Sequence, residues 1–230
     1  QWFPPTGTAM TEPNGLLAAG GDLSPPRLLA AYQRGIFPWY SEGQPILWWS
    51  PNPRVVFIPS KIHQSSSMKK FMRKCSWQIR VNTAFSQVLA QCAAPRRGSN
   101  GTWLLSDMQQ AYTTLHKMGF AHSIEVWDAN ELVGGLYGIA LGRIFFGESM
   151  FSCAPNGSKV ALLALGTLLK SAEFALIDCQ VGNPHLSSMG AVTLARIEFE
   201  AILRQNTTLP PTPWPAWSSM SFSCEHFIQP

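Results

Sequence analysis

The run Ile144-Phe145-Phe146-Gly147-Glu148-Ser149-Met150-Phe151-Ser152 holds one carboxylate among aromatic and apolar residues, with no basic residue in the segment. Burial disfavours the charged form and can raise a carboxyl pKa by up to ~3 to 5 units, so such a group is exposed, paired, or held for a purpose. Two readings follow. Glu148 either pairs with Lys159 or with an arginine elsewhere, or it is a functional acid in the wall of a pocket. Asp178 and Gln180, in Leu176-Ile177-Asp178-Cys179-Gln180, lie two residues apart, and on a strand that spacing sends both side chains to one face and Cys179 to the other. If that face is a pocket, Asp178 orients the Gln180 amide and leaves its carbonyl free to accept from a bound amine. The alternative is a polar pair bonded to turn backbone. Cys179, with apolar neighbours and no histidine close in sequence, reads as a packed thiol. His122 and His185 sit in no triad-like context and read as structural or supporting groups.

Nine tryptophans are present, and Trp39, Trp48, Trp49 and Trp103 stand beside proline or glycine rather than in periodic segments. Core packing is the ordinary fate of a tryptophan, but a loop tryptophan also stacks unpaired bases, at ~1 to 3 kcal/mol each. The net charge is +4, and its distribution is uneven. From Gly43 to Ser106 there is no Asp or Glu, while Arg54, Lys61, Lys69, Lys70, Arg73, Lys74, Arg80, Arg96 and Arg97 all fall there. That window is either a solvated basic face or a site for a polyanion. Taken with the loop tryptophans, it points to the single-stranded ends of RNA or DNA.

These residues must be held by a fold. With 230 residues, 46% of them hydrophobic, the chain is long enough for one large or two modest domains. The longest apolar stretches, 132–142 and 160–169, fall short of the ~20 residues of a membrane helix, so no membrane span is expected. No basic-then-apolar leader is visible, and a secretory signal is not expected. The five scattered cysteines include no C-x-x-C pair and point to a reducing compartment without structural zinc. The first sixty residues, dense in Pro, Gly and Trp, give one clear helix: Ser24 as cap, Pro25 in the first turn, Leu28, Leu29 and Tyr32 as an apolar stripe, and Gly35 as its end. From Lys61 the pattern predicts helices over 68–74 and 83–91, a strand over 77–81, and a helix capped by Asp107 and running to Met118. Strands over 122–127, 132–140 and 144–151, a helix opening at Ser158 and a buried strand over 175–181 complete a mixed α+β sheet. The expected division is a small lobe over 1–60 and a larger mixed α+β domain over 61–230. The order of elements suits an acetyltransferase, but 153–158 has one glycine and a proline where a coenzyme A pyrophosphate would need free backbone donors. A plain acetyl-CoA enzyme is disfavoured.

The segments EPNGLLAAGGDLSPPRLLAAYQRGIFPWY, ILWWSPNPR, GTW, AHSIEVW, LVGGLYG, FFGESMFS, NGSK and IDCQ, in this order and spacing, resemble the bacterial leucyl/phenylalanyl-tRNA–protein transferases from Phe3 to about Arg204. The resemblance implies a cytoplasmic enzyme that moves Leu or Phe, and Met to a lesser extent, from aminoacyl-tRNA to the N-terminal Arg or Lys of a protein. The product is a degradation signal. It also implies a C-terminal domain of acetyltransferase (GNAT) type without a coenzyme A site, and no cofactor or metal; a monomer is expected. Carried over by motif, Trp39 and Trp103 would hold the terminal adenosine. Leu136, Met150, Leu162 and Ile177 would line the pocket for the amino-acid side chain. Glu148, Asp178 and Gln180 would surround the reacting groups, and Lys69, Lys70, Arg73 and Lys74 would grip the acceptor stem. Glu148 would bind a cation, either the aminoacyl amine or the acceptor's basic side chain. Two departures stand out: the loop Arg96-Arg97-Gly98-Ser99-Asn100 is longer and less acidic than expected, and Gly157 in NGS replaces alanine, which should loosen the start of the helix. Two other classes stay open, a noncatalytic RNA-end-binding protein and an acetyl-CoA-dependent N-acetyltransferase.

Overall fold

The computed structural model describes residues 3–94, 104–210 and 214–229. Its first part pairs β1 (Leu16–Ala19), β2 (Phe37–Pro38) and β3 (Leu47–Trp49) in a small antiparallel sheet of order β1-β3-β2. Between β1 and β2 lies α1 (Pro25–Tyr32), which buries Leu28, Ala31 and Tyr32. Proline suits its first turn because that N–H has no helical partner, and Gly35 at φ +71 lets the chain turn back after it. Ser24 is the N-cap by position, but its side chain makes no cap bond.

The chain then contributes β4 (Arg54–Phe57), α2 (Ser66–Met72), β5 (Gln78–Val81), α3 (Phe85–Ala93), α4 (Ser106–Lys117), β6 (Ala121–Asp128), β7 (Glu131–Leu141) and β8 (Ile144–Ser152). After these come α5 (Gly157–Ser171), β9 (Leu176–Gln180), α6 (Pro184–Ser188), β10 (Val192–Leu194), α7 (Arg196–Asn206), α8 (Trp214–Ser218) and β11 (Ser221–Ser223). Eight of the strands form one sheet of order β10-β4-β9-β8-β7-β6-β5-β11, antiparallel throughout except where β8 and β9 run parallel. The fold is a mixed α+β sheet with helices on both faces. One face packs against α2, α5 and the C-terminal segment, and the other against α1, α3, α4 and α7, so each face has its own apolar core. The strands expected over 122–127, 132–140 and 144–151 appear as β6, β7 and β8, and β6 and β7 are buried on both faces along most of their length.

Three local expectations need correction. The basic helix starts two residues early, because the Ser65 hydroxyl accepts the Met68 N–H at 3.2 Å and caps it there. Asp107 lies inside the first turn of α4 rather than at its cap, and its carboxylate accepts the Tyr40 hydroxyl and the Met108 N–H. Gly157 is buried rather than loose: a Cβ on it would stand 2.4 Å from the Val133 carbonyl oxygen. Facing it, a Cβ on Gly134 would stand 2.5 Å from the Gly157 backbone, so two glycines let α5 begin directly on β7.

The Pro/Trp-rich C-terminus, which matches no expected element, closes the sheet. β11 pairs with β5, and Trp214 is buried with its ring stacked on His122 at 4.0 Å. His122 is thereby structural: burial pushes its pKa down to about 3, and the Asn82 amide lies 3.0 Å from its Nδ1. Replacing a fully packed tryptophan by alanine costs ~3 to 5 kcal/mol, and near ~2 to 4 °C per kcal/mol for a chain of this size Trp214→Ala should lower the Tm by roughly 10 °C. A scan showing no change in Tm would mean that this segment is not docked as described.

Candidate active site

β8 and β9 pair only from Ile144 to Phe146 and from Leu176 to Asp178. Beyond that register the two strands part, and the gap opens into a cavity of about 1230 Å³ between the sheet and α5. Leu136, Phe145, Met150, Leu162, Leu165 and Ile177 make an apolar floor. Trp39 stands at the mouth, 48% exposed, with its ring 5.7 Å from that of Trp49. An apolar cavity with a few convergent polar groups is the usual form of a small-molecule site.

Both flanking strands are irregular where they meet the cavity. Across β7 and β8, Tyr137 pairs with Ser149 while Gly138 pairs with Gly147, so Glu148 is the extra residue of a β-bulge. Across β4 and β9, Val55 pairs with Gln180 while Val56 pairs with Asp178, which leaves Cys179 as a second bulge. Gln180 itself takes φ +60, the left-handed region that a side chain with a Cβ enters at a cost of order 1 to 3 kcal/mol. Bulges re-aim side chains, and these two present Glu148 and Gln180 to the same cavity.

Glu148 is held by neutral donors. Tyr32 donates its hydroxyl to Oε1 at 2.7 Å, Tyr112 donates to Oε2 at 2.8 Å, and the Gln180 amide nitrogen donates to Oε1 at 3.0 Å. Among the described residues no ion pair includes Glu148, so the expected partner Lys159 or an arginine does not serve. The two hydroxyls also lie 2.8 Å apart, which closes a three-membered ring of contacts with the carboxyl. An ionised carboxylate leaves two hydroxyl protons for three contacts, whereas a protonated one supplies the third. Burial pushes Glu148 up to about 7; the tyrosine and Gln180 bonds pull it back, and the nearby Asp178 charge adds to the rise. Burial, together with the Glu148 charge, holds Tyr32 and Tyr112 far above the usual phenol range, so both stay donors.

Asp178 stands behind the cavity wall, fully buried, with Arg54 in a two-point ion pair at 2.7 and 2.6 Å. Arg54 is itself only 1% exposed, donates to the Gly35 carbonyl, and lies between the rings of Phe37 and Phe199. Its place in the basic window is therefore misleading: this cation is spent inside the protein. The expected relay is also corrected. Asp178 accepts the main-chain N–H of Gln180 at 2.9 Å, and the Gln180 side chain is oriented by Glu148 instead. Among the described residues the Gln180 carbonyl oxygen has no partner, because a carboxylate neighbour needs the amide nitrogen turned toward it. The Cys179 thiol is pushed well up by burial, as a packed thiol should be.

Trp39, Leu136, Glu148, Met150, Leu162, Ile177 and Gln180 thus come together at one cavity. Trp103, Arg96 and Arg97 lie outside the described residues. Lys69 and Lys70 lie in the last turn of α2, with Arg73 and Lys74 just beyond it, and none of the four lines the cavity. Two family models match this chain: one described as leucyl/phenylalanyl-tRNA protein transferase, over residues 56–204, and one of that family's N-terminal domain, over residues 21–52. A leucyl/phenylalanyl-tRNA–protein transferase of Xanthomonas euvesicatoria pv. vesicatoria is 57% identical over 217 residues, covering 93% of this chain and 87% of its own. Proteins of the same name from Idiomarina loihiensis and Saccharophagus degradans are 55% and 54% identical, over 93% and 89% of this chain and 92% and 84% of their own. This chain is a member of the leucyl/phenylalanyl-tRNA–protein transferase family.

Within the transferase, the residues that sequence spacing missed are Tyr32, Tyr112 and Arg54. Tyr32 reads as one position of an apolar helical stripe, and Tyr112 as an interior residue of the next long helix. Their hydroxyls meet Glu148 only through contacts of 116 and 36 residues' separation. The one local signal is Arg54 itself, a lone cation followed at once by Val55, Val56 and Phe57 in a strand.

Proposed function

We propose that this transferase moves Leu or Phe, and Met less well, from aminoacyl-tRNA to the N-terminal Arg or Lys of an acceptor protein. The carrying observation is that Glu148 is the one carboxylate on the wall of a cavity with an apolar floor, where, among the described residues, no Lys or Arg stands beside it. The apolar floor suits an unbranched-at-Cβ side chain, and one methylene is worth only ~1 to 3 kcal/mol there, which explains leakage to Met. Glu148 supplies the charge that selects a cationic acceptor, and Trp39 offers a half-exposed ring for the terminal adenine.

The amine nitrogen attacks the ester carbonyl, the bond to the ribose oxygen breaks, and the amine proton passes to that oxygen. With an α-amino pKa near ~7.7 to 8.0, roughly a tenth of the amine is neutral at pH 7, so positioning outweighs base strength. The Gln180 carbonyl, without a partner among the described residues, accepts from the amine and aims its lone pair. Asp178 and Arg54 are positioning residues that hold the Gln180 main chain in its left-handed turn.

The division into a lobe over 1–60 and a catalytic domain over 61–230, the acetyltransferase-type arrangement, a cytoplasmic location, the monomeric state and the grip of Lys69, Lys70, Arg73 and Lys74 on the acceptor stem belong to the same proposal. The meander β6-β7-β8, then α5, then β9 parallel to β8, supports the acetyltransferase likeness. Against coenzyme A, the Gly157 and Ser158 N–H groups at the start of α5 are already bonded to Ala154 O and Ser152 Oγ. Among the described residues no helix is long and apolar enough to cross a membrane.

The test is transfer of labelled Leu from charged tRNA to an Arg-initiated peptide, without added coenzyme A. Transfer is expected. Bound tRNA without transfer would favour a noncatalytic RNA-end-binding protein, and transfer of acetyl from acetyl-CoA would favour the N-acetyltransferase.

A further inference from the structure

A second, smaller cleft of about 300 Å³ adjoins the catalytic cavity. His63, Ser65, Ser67, Asn156, Lys159 and Ser188 line it, and among the described residues no carboxylate does. Three separate segments build it, and each lies in an acid-free stretch of the chain: 43–106, 149–172 and 179–197. Their main chains are tied together where His63 N–H donates to the Met189 carbonyl at 2.8 Å. The Lys159 ammonium makes no ion pair or hydrogen bond among the described residues. A cation left unpaired among hydroxyl and amide donors, with no acid near in sequence, is built for an anion.

Position narrows the anion. Ser158 lines the catalytic cavity and Lys159 lines the cleft, so the first turn of α5 divides the two. On α6, His185 faces the cavity and Ser188 the cleft. On the far side, Ser65, Ser67 and Met68 belong to the start of α2, whose last turn and exit carry Lys69, Lys70, Arg73 and Lys74. The cleft thus lies between the cavity and the start of the basic helix, where a single strand reaching from one to the other has room to pass.

We propose that the cleft is a phosphodiester seat for the single-stranded acceptor end of the RNA, with Lys159 as its counter-charge. The proposal rests on the aminoacyl-tRNA reading above, and two donors separate the two. Charged tRNA carries the phosphates, whereas phenylalanyl-adenosine carries none. For Lys159→Ala, the KM for charged tRNA should rise about 3- to 10-fold with kcat unchanged, and the salt slope of log K should fall by ~0.7, the value of one single-strand phosphate contact. Transfer from phenylalanyl-adenosine should not change. Lys159→Arg should restore most of the tRNA affinity, and Lys159→Glu should weaken it further. Equal losses with both donors, or no change with tRNA, would overturn the seat. Filter binding of uncharged tRNA reads the seat without chemistry. Lys159-dependent binding in a wild type that transfers from neither donor would leave the seat standing and remove the transferase reading instead.

Discussion

Glu148→Gln should lower kcat/KM on an Arg-initiated acceptor by about 30-fold to several thousand-fold, because losing one partner of a buried charged contact costs ~2 to 5 kcal/mol. On an acceptor with an uncharged first residue the loss should be small, which relaxes discrimination. Equal loss on both would assign Glu148 to the aminoacyl amine instead. The pH profile gives an independent reading. In wild type two protons must leave on the acid side, one from Glu148 near 7 and one from the acceptor amine, so log kcat/KM should fall with a slope approaching two. In Glu148→Gln only the amine remains, and the slope should be one.

The same variant should be more stable than wild type, and only above a certain pH. Glu148 titrates near 7 in the folded protein against an ordinary 4.5, so folding favours its protonated form. That contribution is fully present below pH 4.5 and is lost as pH rises through 7. Glutamine stays neutral, and its amide can complete the ring with Tyr32 and Tyr112 that an ionised carboxylate leaves one proton short. A difference of about 2.5 units corresponds to at most ~3 kcal/mol, so the stability gain should be absent at pH 4.5 and near its ceiling at pH 8. Denaturant curves that coincide at pH 8 would show that ionised Glu148 carries no strain. A site group that costs stability while serving function is the usual direction of that trade.

What sequence can show here follows from how far each feature reaches along the chain. The strands over 121–152 are short runs rich in β-branched, aromatic and small residues and separated by turns, the helix over 157–171 is a longer apolar run, and both are legible within one window. The carboxylate of Glu148 is conspicuous for the same reason. Its bulge is not, because one extra residue in β8 is defined only against the register of β7. The partners Tyr32 and Tyr112 look like ordinary interior positions of amphipathic helices, and only packing brings their hydroxyls to one point. Short pieces such as β10 and β11, three residues each, carry too few positions for any period and form because a sheet edge is there to receive them. Charge is the least local property of all: Arg54 counts toward a basic window and is then wholly consumed by Asp178, 124 residues away.

That pair makes the sharpest structural prediction. Asp178→Asn keeps the shape of the side chain but leaves the Arg54 guanidinium buried without a counter-charge, and breaking such a pair costs ~3 to 5 kcal/mol. For a chain of this length the Tm should fall by roughly 10 °C, since each kcal/mol is worth ~2 to 4 °C. Loss of transfer activity in this variant would therefore not by itself make Asp178 a group in the chemistry. The double variant Arg54→Met, Asp178→Asn decides. It removes both charges, should recover much of the stability, and leaves the amide oxygen of the introduced asparagine to accept the Gln180 N–H. If Asp178 acts only by holding that main chain, kcat of the folded double variant should return to within about tenfold of wild type, while tRNA affinity stays unchanged throughout. A double variant that regains its Tm but not its kcat would make the carboxylate charge itself part of the reaction. The acid limb offers the check on how that charge is felt: Asp178 raises the Glu148 pKa, so its removal should move the limb to lower pH. A limb that stays in place would mean that the two carboxyls do not sense each other across the wall of the cavity.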